Sequence, residues 1–173
     1  NIMKIYIACL AAYNSGYLHG KWIDVSSDEE EMETEMQKVI KTSPVPDAEE
    51  WAIHDYDDFP NMGEYVSLEK IAEIADMIEN SEQDADVVKA VIDNYSNDMS
   101  AAQDALEDNC GVWDSFKHYA DEFADEQLAC SPDTDRWSEW IKQYFDYEKH
   151  AKTLEYSYTV IDVPKGVFIV PNY

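Results

Sequence analysis

From Glu64 to Glu126 the chain sets carboxylates against a regular apolar stripe, a pattern that amphipathic helices accommodate. These sixty-three residues hold eighteen Asp or Glu and three Lys, a net charge of −15. In Ser67–Asn80, Leu68, Ile71, Ala72, Ala75 and Ile78 recur at i, i+3, i+4 and i+7 spacing and predict one buried helical face. Glu69, Glu73, Asp76 and Glu79 follow at steps of four, three and three on the opposite side. At about 1.5 Å rise per residue, that ridge carries a negative charge roughly every 5 Å along the axis. Ser81 is placed to cap a second helix over 82–95, with Val87, Val88, Val91 and Ile92 inward and Asp84, Asp86 and Asp93 among its acids. A shorter helix is expected over 99–108. Asp114–Leu128 repeats the pattern: Phe116, Tyr119, Ala120, Phe123, Ala124 and Leu128 face in, while Asp114, Asp121, Glu122, Asp125 and Glu126 face out.

The flanks predict strands as well. Lys4–Leu10 is β-rich, and Tyr17–Val25 reads as a second strand after a turn at Tyr13-Asn14-Ser15-Gly16. Ser27 opens a helix, with Glu30 placed to reach back in a capping box. Met32, Met36, Val39 and Ile40 form its buried side, and Pro44 and Pro46 end it. Glu50–Tyr56 reads as a third strand, with Trp51, Ile53 and Asp55 on one face and Ala52, His54 and Tyr56 on the other. Gly111-Val112-Trp113 adds a short extended piece. Ser131-Pro132 opens a helix with an aromatic face at Trp137, Trp140, Tyr144 and Phe145. Asp146–Leu154 is helical, and Tyr156–Val163 and Val167–Val170 close a hairpin around Pro164-Lys165-Gly166.

The fold class expected is α+β, elongated, in three small domains. An N-terminal α/β domain covers 1–61, a central helical domain 62–105, and a C-terminal helical domain with a terminal hairpin 106–173. Their net charges are −9, −9 and −8. Charge spread this evenly over folded units argues against an acidic tail or a single metal pocket.

The total charge is −26 over 173 residues. In a globule with a radius of gyration of roughly 16 Å that charge would repel itself strongly, hence the elongated shape expected. Apolar content of 45% with 13% aromatics supplies real cores, so the disorder that high charge often signals does not apply. Such a surface disfavours nucleic acid and anionic membranes as partners. It favours a partner with a basic groove. The 26 charges match those on about 44 Å of duplex, at one phosphate per roughly 1.7 Å of axis. A salt-adapted surface is the plainer reading, yet it requires neither the aromatic content nor clean ridges on successive helices.

Three widely spaced cysteines, Cys9, Cys110 and Cys130, form no CxxC and give no disulfide framework or zinc site. They fit a reducing cytoplasm. No apolar run is long enough for a membrane span. Walker, GxGxxG and GxSxG signatures are missing, and the candidate calcium loops lack the required ligands and glycine, so no cofactor or catalytic group is expected. The most enzyme-like cluster is His54-Asp55, but neighbouring strand residues point to opposite faces. An acidic cation-binding protein or enzyme with its site near His54–Asp58 is therefore the alternative function.

Four segments resemble one known family. The opening Ile5-Tyr6-Ile7-Ala8-Cys9-Leu10-Ala11-Ala12-Tyr13-Asn14-Ser15-Gly16-Tyr17-Leu18-His19-Gly20-Lys21-Trp22-Ile23-Asp24 resembles the start of ArdA-type antirestriction proteins. Glu50-Trp51-Ala52-Ile53-His54-Asp55-Tyr56, the acidic helix Phe116–Glu126 and Tyr144-Phe145-Asp146-Tyr147-Glu148-Lys149-His150-Ala151 resemble further family segments, in the family's order. The chain departs at Lys152-Thr153-Leu154, where the family commonly has Arg-Asp-Leu. The resemblance implies a protein of mobile genetic elements such as plasmids and conjugative transposons. It implies an elongated homodimer whose surface mimics B-form DNA and blocks the DNA-binding groove of type I restriction-modification enzymes. The acids expected to stand for phosphates are Glu69, Glu73, Asp76, Glu79, Asp84, Asp86, Asp93, Asp114, Asp121, Glu122, Asp125 and Glu126. Trp137, Trp140, Tyr144, Phe145 and Tyr147 exceed what a small C-terminal domain can bury and are expected at the dimer contact.

Overall fold

A computed structural model describes residues 2–130 and 138–173, and the chain falls into two compact units, 1–97 and 98–173. The fold class is α+β, with two three-stranded sheets among the described residues.

In the first unit, β1 (Lys4–Cys9) is the central strand and pairs antiparallel with β2 (Gly20–Asp24) and β3 (Trp51–Asp57). Leu10–Asn14 forms a short helix, α1, where a strand end and a turn were expected. The helix α2 (Glu29–Lys41) packs on β1 and β2, burying Met32, Met36, Val39 and Ile40 on the side where Ile5, Ile7 and Ile23 are buried. Its cap is Asp28, which accepts from the Glu30 N–H at 3.0 Å, and not Ser27. Ser26 accepts from the Asp28 N–H and shifts the helix start by one residue, while Ser27 donates to Glu79.

The strict alternation expected along β3 fails at one place. Tyr6 pairs with Asp55 but Ile7 pairs with Ile53, so His54 is an extra residue without a partner on β1. Both Ala52 and Ile53 are buried as a result, and His54 and Asp55 are both exposed.

The helix α3 (Leu68–Asn80) starts at Ser67, whose hydroxyl accepts from the Lys70 N–H at 3.2 Å. The predicted stripe is buried, and Ile74 joins it because α3 meets both α2 and α4 (Ala85–Asn94) and needs a wider apolar arc. The second helix begins later than expected. Ser81 accepts from the Gln83 N–H in a turn, and the Asp84 carbonyl accepts the first helical bond, from Val88.

The second unit opens with α5 (Met99–Glu107), capped by Asp98 through the Ala101 N–H. Then come β4 (Val112–Trp113), α6 (Phe116–Cys130), α7 (Ser138–Lys142) and α8 (Tyr147–Leu154), the last capped by Asp146. A 3-10 turn leads into β5 (Tyr158–Val163) and β6 (Gly166–Pro171). The expected hairpin forms, and the Val112-Trp113 piece joins its free edge to give the order β4-β6-β5. Phe116, Tyr119 and Ala120 of α6, Ala151 of α8 and Ile169 of β6 form one core cluster of this unit. Around it, Tyr119 contacts Trp113, Phe116, Phe123 and Tyr158 through their rings. The helix start at Ser131-Pro132 and Trp137 lie outside the described residues.

Candidate interaction surface

Burial divides the carboxylates into two groups. Of the 35 Asp and Glu with described side chains, 31 are exposed. The remaining four are Glu35, Asp58, Asp121 and Asp125, and each meets a lysine. The division has a direct cause, because a carboxylate drawn out of water needs a cation or several donors to offset its lost hydration.

Glu35 on α2 receives Lys21 from β2 and Lys38 from its own helix. Those two ammoniums, Lys38 foremost, hold its carboxyl down at about 2 against an ordinary value of 4.5. Because the folded value is the lower one, this stabilisation is complete above about pH 4.5 and disappears as pH falls toward 2. Glu35→Gln is expected to lower stability at pH 7 and to flatten its decline between pH 4.5 and 2. Denaturant titrations at both pH values measure this, and an unchanged slope would rule the pairing out.

Asp58 holds Lys89 at 2.6 Å, with Asp86 on the same ammonium at 3.1 Å. Burial pulls the Lys89 ammonium down, but the two carboxylates outweigh it and leave its pKa raised. In the second unit Asp121 pairs with Lys117, and Asp125 accepts from the Tyr147 hydroxyl at 2.6 Å with Lys142 at 3.6 Å. Among the described residues Lys4, Lys21, Lys38, Lys70, Lys89, Lys117 and Lys142 each hold a carboxylate within 4.0 Å.

The ridge expected on α3 is present. Glu69, Glu73, Asp76 and Glu79 are all exposed on the side opposite Ile71, Ala75 and Ile78. Lys70 reaches Glu73 at 2.9 Å, and Asn80 donates to Asp76 at 2.7 Å. Asp84, Asp86 and Asp93 are exposed on and beside α4, where partial desolvation pushes the Asp93 carboxyl up. Asp114 precedes α6, and Glu122 and Glu126 stand out from it; all three are exposed. Asp121 and Asp125 sit lower, tied to lysines and Tyr147, so the outer row of α6 is thinner than its sequence suggests.

The aromatic set divides in the same way. Trp140 and Tyr144 are 57% and 71% exposed, with ring centroids 5.0 Å apart. Phe145 and Tyr147 are half-buried against each other at 4.7 Å, and Phe145 also meets His150.

The His54–Asp58 segment does not converge. The His54 ring lies edge-on to Tyr13, the Asp55 carboxylate accepts from the Tyr56 N–H, and Asp58 holds Lys89. Among the described residues no three His, Cys, Asp or Glu side chains are grouped to hold a metal, and no helix is long and apolar enough to cross a membrane.

The sequence match agrees in extent with this arrangement. Among curated proteins, no match to the chain is found. The family model described as antirestriction protein (ArdA) matches residues 5–169 of the 173, covering both units and every ridge described above. With nearly its whole length matched, the chain belongs to the ArdA family of antirestriction proteins.

Proposed function

We propose that the protein works without catalysis, as a mimic of B-form DNA that occupies the DNA-binding groove of type I restriction-modification enzymes. The observation that carries this reading is the division of the carboxylates. The four half-buried ones are paired with the chain's own lysines, and 31 stand exposed on folded elements. A nucleic-acid backbone likewise presents its anions outward and at regular spacing. Lysines and arginines that grip DNA phosphates would meet carboxylates here and release counterions as they do on DNA.

Residues 1–61, 62–105 and 106–173 carry nearly equal net charges of −9, −9 and −8, and we take each of these sections to contribute acids to the mimicry. The exposed Trp140–Tyr144 pair supports a homodimer contact in the C-terminal section.

The test is competition with DNA for a purified type I methyltransferase at rising salt. The expected result is displacement of DNA at micromolar protein or below, weakening as salt rises. Undiminished DNA binding would falsify the mimicry. Sedimentation equilibrium on the same sample is expected to return twice the 19.9 kDa chain mass, and a single chain mass would remove the dimer.

A further inference from the structure

The first unit carries a concave feature apart from the ridges on α3 and α4. Beside β3 an open cleft of about 860 Å³ is walled by Tyr13, Trp51, His54 and Tyr65 and bordered by Glu50 and Glu64. That volume falls in the range of small-ligand sites, about 300–1,000 Å³. Backbone bonds fix its walls. The Leu10 N–H donates to the Glu50 carbonyl at 3.0 Å and the Ile53 N–H to the Glu64 carbonyl at 2.9 Å. The Tyr56 hydroxyl ties down the intervening loop at the Gly63 carbonyl, 2.6 Å away. His54, the residue left over by the β3 bulge, meets Tyr13 edge-on at 5.0 Å. The opening segment and the Glu50–Tyr56 segment, far apart in sequence, thus meet at one site.

The chemistry of the walls selects the occupant. Aromatic and acidic residues line the cleft together with Leu10 and Asn14, and no lysine or arginine does among the described residues. Both features attract a cation. A metal ion is a poor fit, since no three ligating side chains converge. A lysine ammonium is strongly hydrated and gains less from stacking. A guanidinium is planar and weakly hydrated, lies flat against a ring, and offers paired donors to a carboxylate.

We propose that this cleft is a socket for an arginine side chain presented by the basic groove of the restriction enzyme, which rests on the DNA-mimic reading above. The ridges would draw the enzyme in through charge that salt screens. The socket would hold one of its arginines through stacking that salt weakens far less. A phosphate backbone has no aromatic faces, so this contact goes beyond imitation of phosphate charge.

The test titrates the full chain with N-acetyl-arginine methylamide and N-acetyl-lysine methylamide, followed by amide and indole NMR shifts. The arginine probe is expected to give saturable shifts at Tyr13, Trp51 and Tyr65, about fivefold tighter than the lysine probe. Those shifts should persist at high salt. Tyr13→Ala with Tyr65→Ala removes two rings that are 54% and 78% exposed and changes no charge. It should weaken the arginine probe about tenfold while leaving the remaining spectrum folded. Shifts spread evenly over the ridges, no preference between probes, or an unaffected double variant would each overturn the socket. The titration needs no restriction enzyme, so failure of the competition experiment would remove the mimic reading while the socket is still decided by its own data.

Discussion

Replacing Glu69, Glu73, Asp76 and Glu79 together with Gln, Gln, Asn and Gln is expected to cost about 10- to 1,000-fold in displacing DNA from the target enzyme. The range follows from four exposed ion pairs at about 0.3–1 kcal/mol each. Any one of the four changes alone should cost no more than about fivefold. The amides keep the hydrogen-bonding oxygens that Ser27 and Asn80 now use, so the helix surface retains its shape. Only charge is lost. The salt dependence of inhibition should become shallower by at most about four in the log–log slope, one for each cation contact removed. Stability should hold or rise, because like charges one turn apart repel and only Glu73 has a lysine beside it. A quadruple variant of wild-type potency would mean that α3 faces away from the partner, and it would shift the mimic surface to the remaining acids.

The ridge on α3 could be read from sequence because helical periodicity is local. Knowing that Ile71, Ala75 and Ile78 face inward fixes where Glu69, Glu73 and Asp76 point. Ile74 was missed for a tertiary reason, since a helix meeting two neighbours buries a wider arc than one stripe. The same limit applies to α6. Its sequence presents Asp121 and Asp125 as outer acids, but Tyr147 and Lys142, well downstream, draw Asp125 inward. Nothing within one helix announces that. The bulge at His54 comes from how β3 registers against β1, forty-odd residues earlier, and local composition carries no trace of it. The cleft followed the same rule. Tyr13, Trp51 and His54 lie in two segments singled out separately, Tyr65 lies in neither, and only the fold brings Tyr13 to His54. At α2, Ser26, Ser27 and Asp28 are all competent caps, and the exit of the chain from β2 decides among them.

Gly166→Ala is expected to destabilise the second unit by about 3 kcal/mol or more, the sum of a strained backbone and a steric conflict. Gly166 begins β6 at φ +135, a region that side chains rarely enter. An added Cβ would lie 2.1 Å from the Trp113 carbonyl oxygen and 3.0 Å from its carbon. Those atoms belong to β4, whose Trp113 pairs with Val167, so relief requires prising β4 off the sheet. That movement would disturb the ladder beside Phe168 and Ile169, both fully buried. For a unit of this size the loss corresponds to roughly 12–24 °C in melting midpoint. Gly111→Ala is the control within the same unit. Its φ is +81 but nothing lies within 4 Å of the new Cβ, so only the backbone cost of about 1 kcal/mol applies. Thermal melts followed by NMR separate the two effects, with signals of residues 1–97 as the internal reference. If both variants melt alike, the contact with Trp113 contributes nothing and strain alone governs the turn. If Gly166→Ala is far worse, the close approach of β6 to β4 is what holds the sheet beneath α6. Antirestriction should then fall with it, because Asp114, Glu122 and Glu126 keep their spacing only while α6 is seated on Ile169 and Ala151.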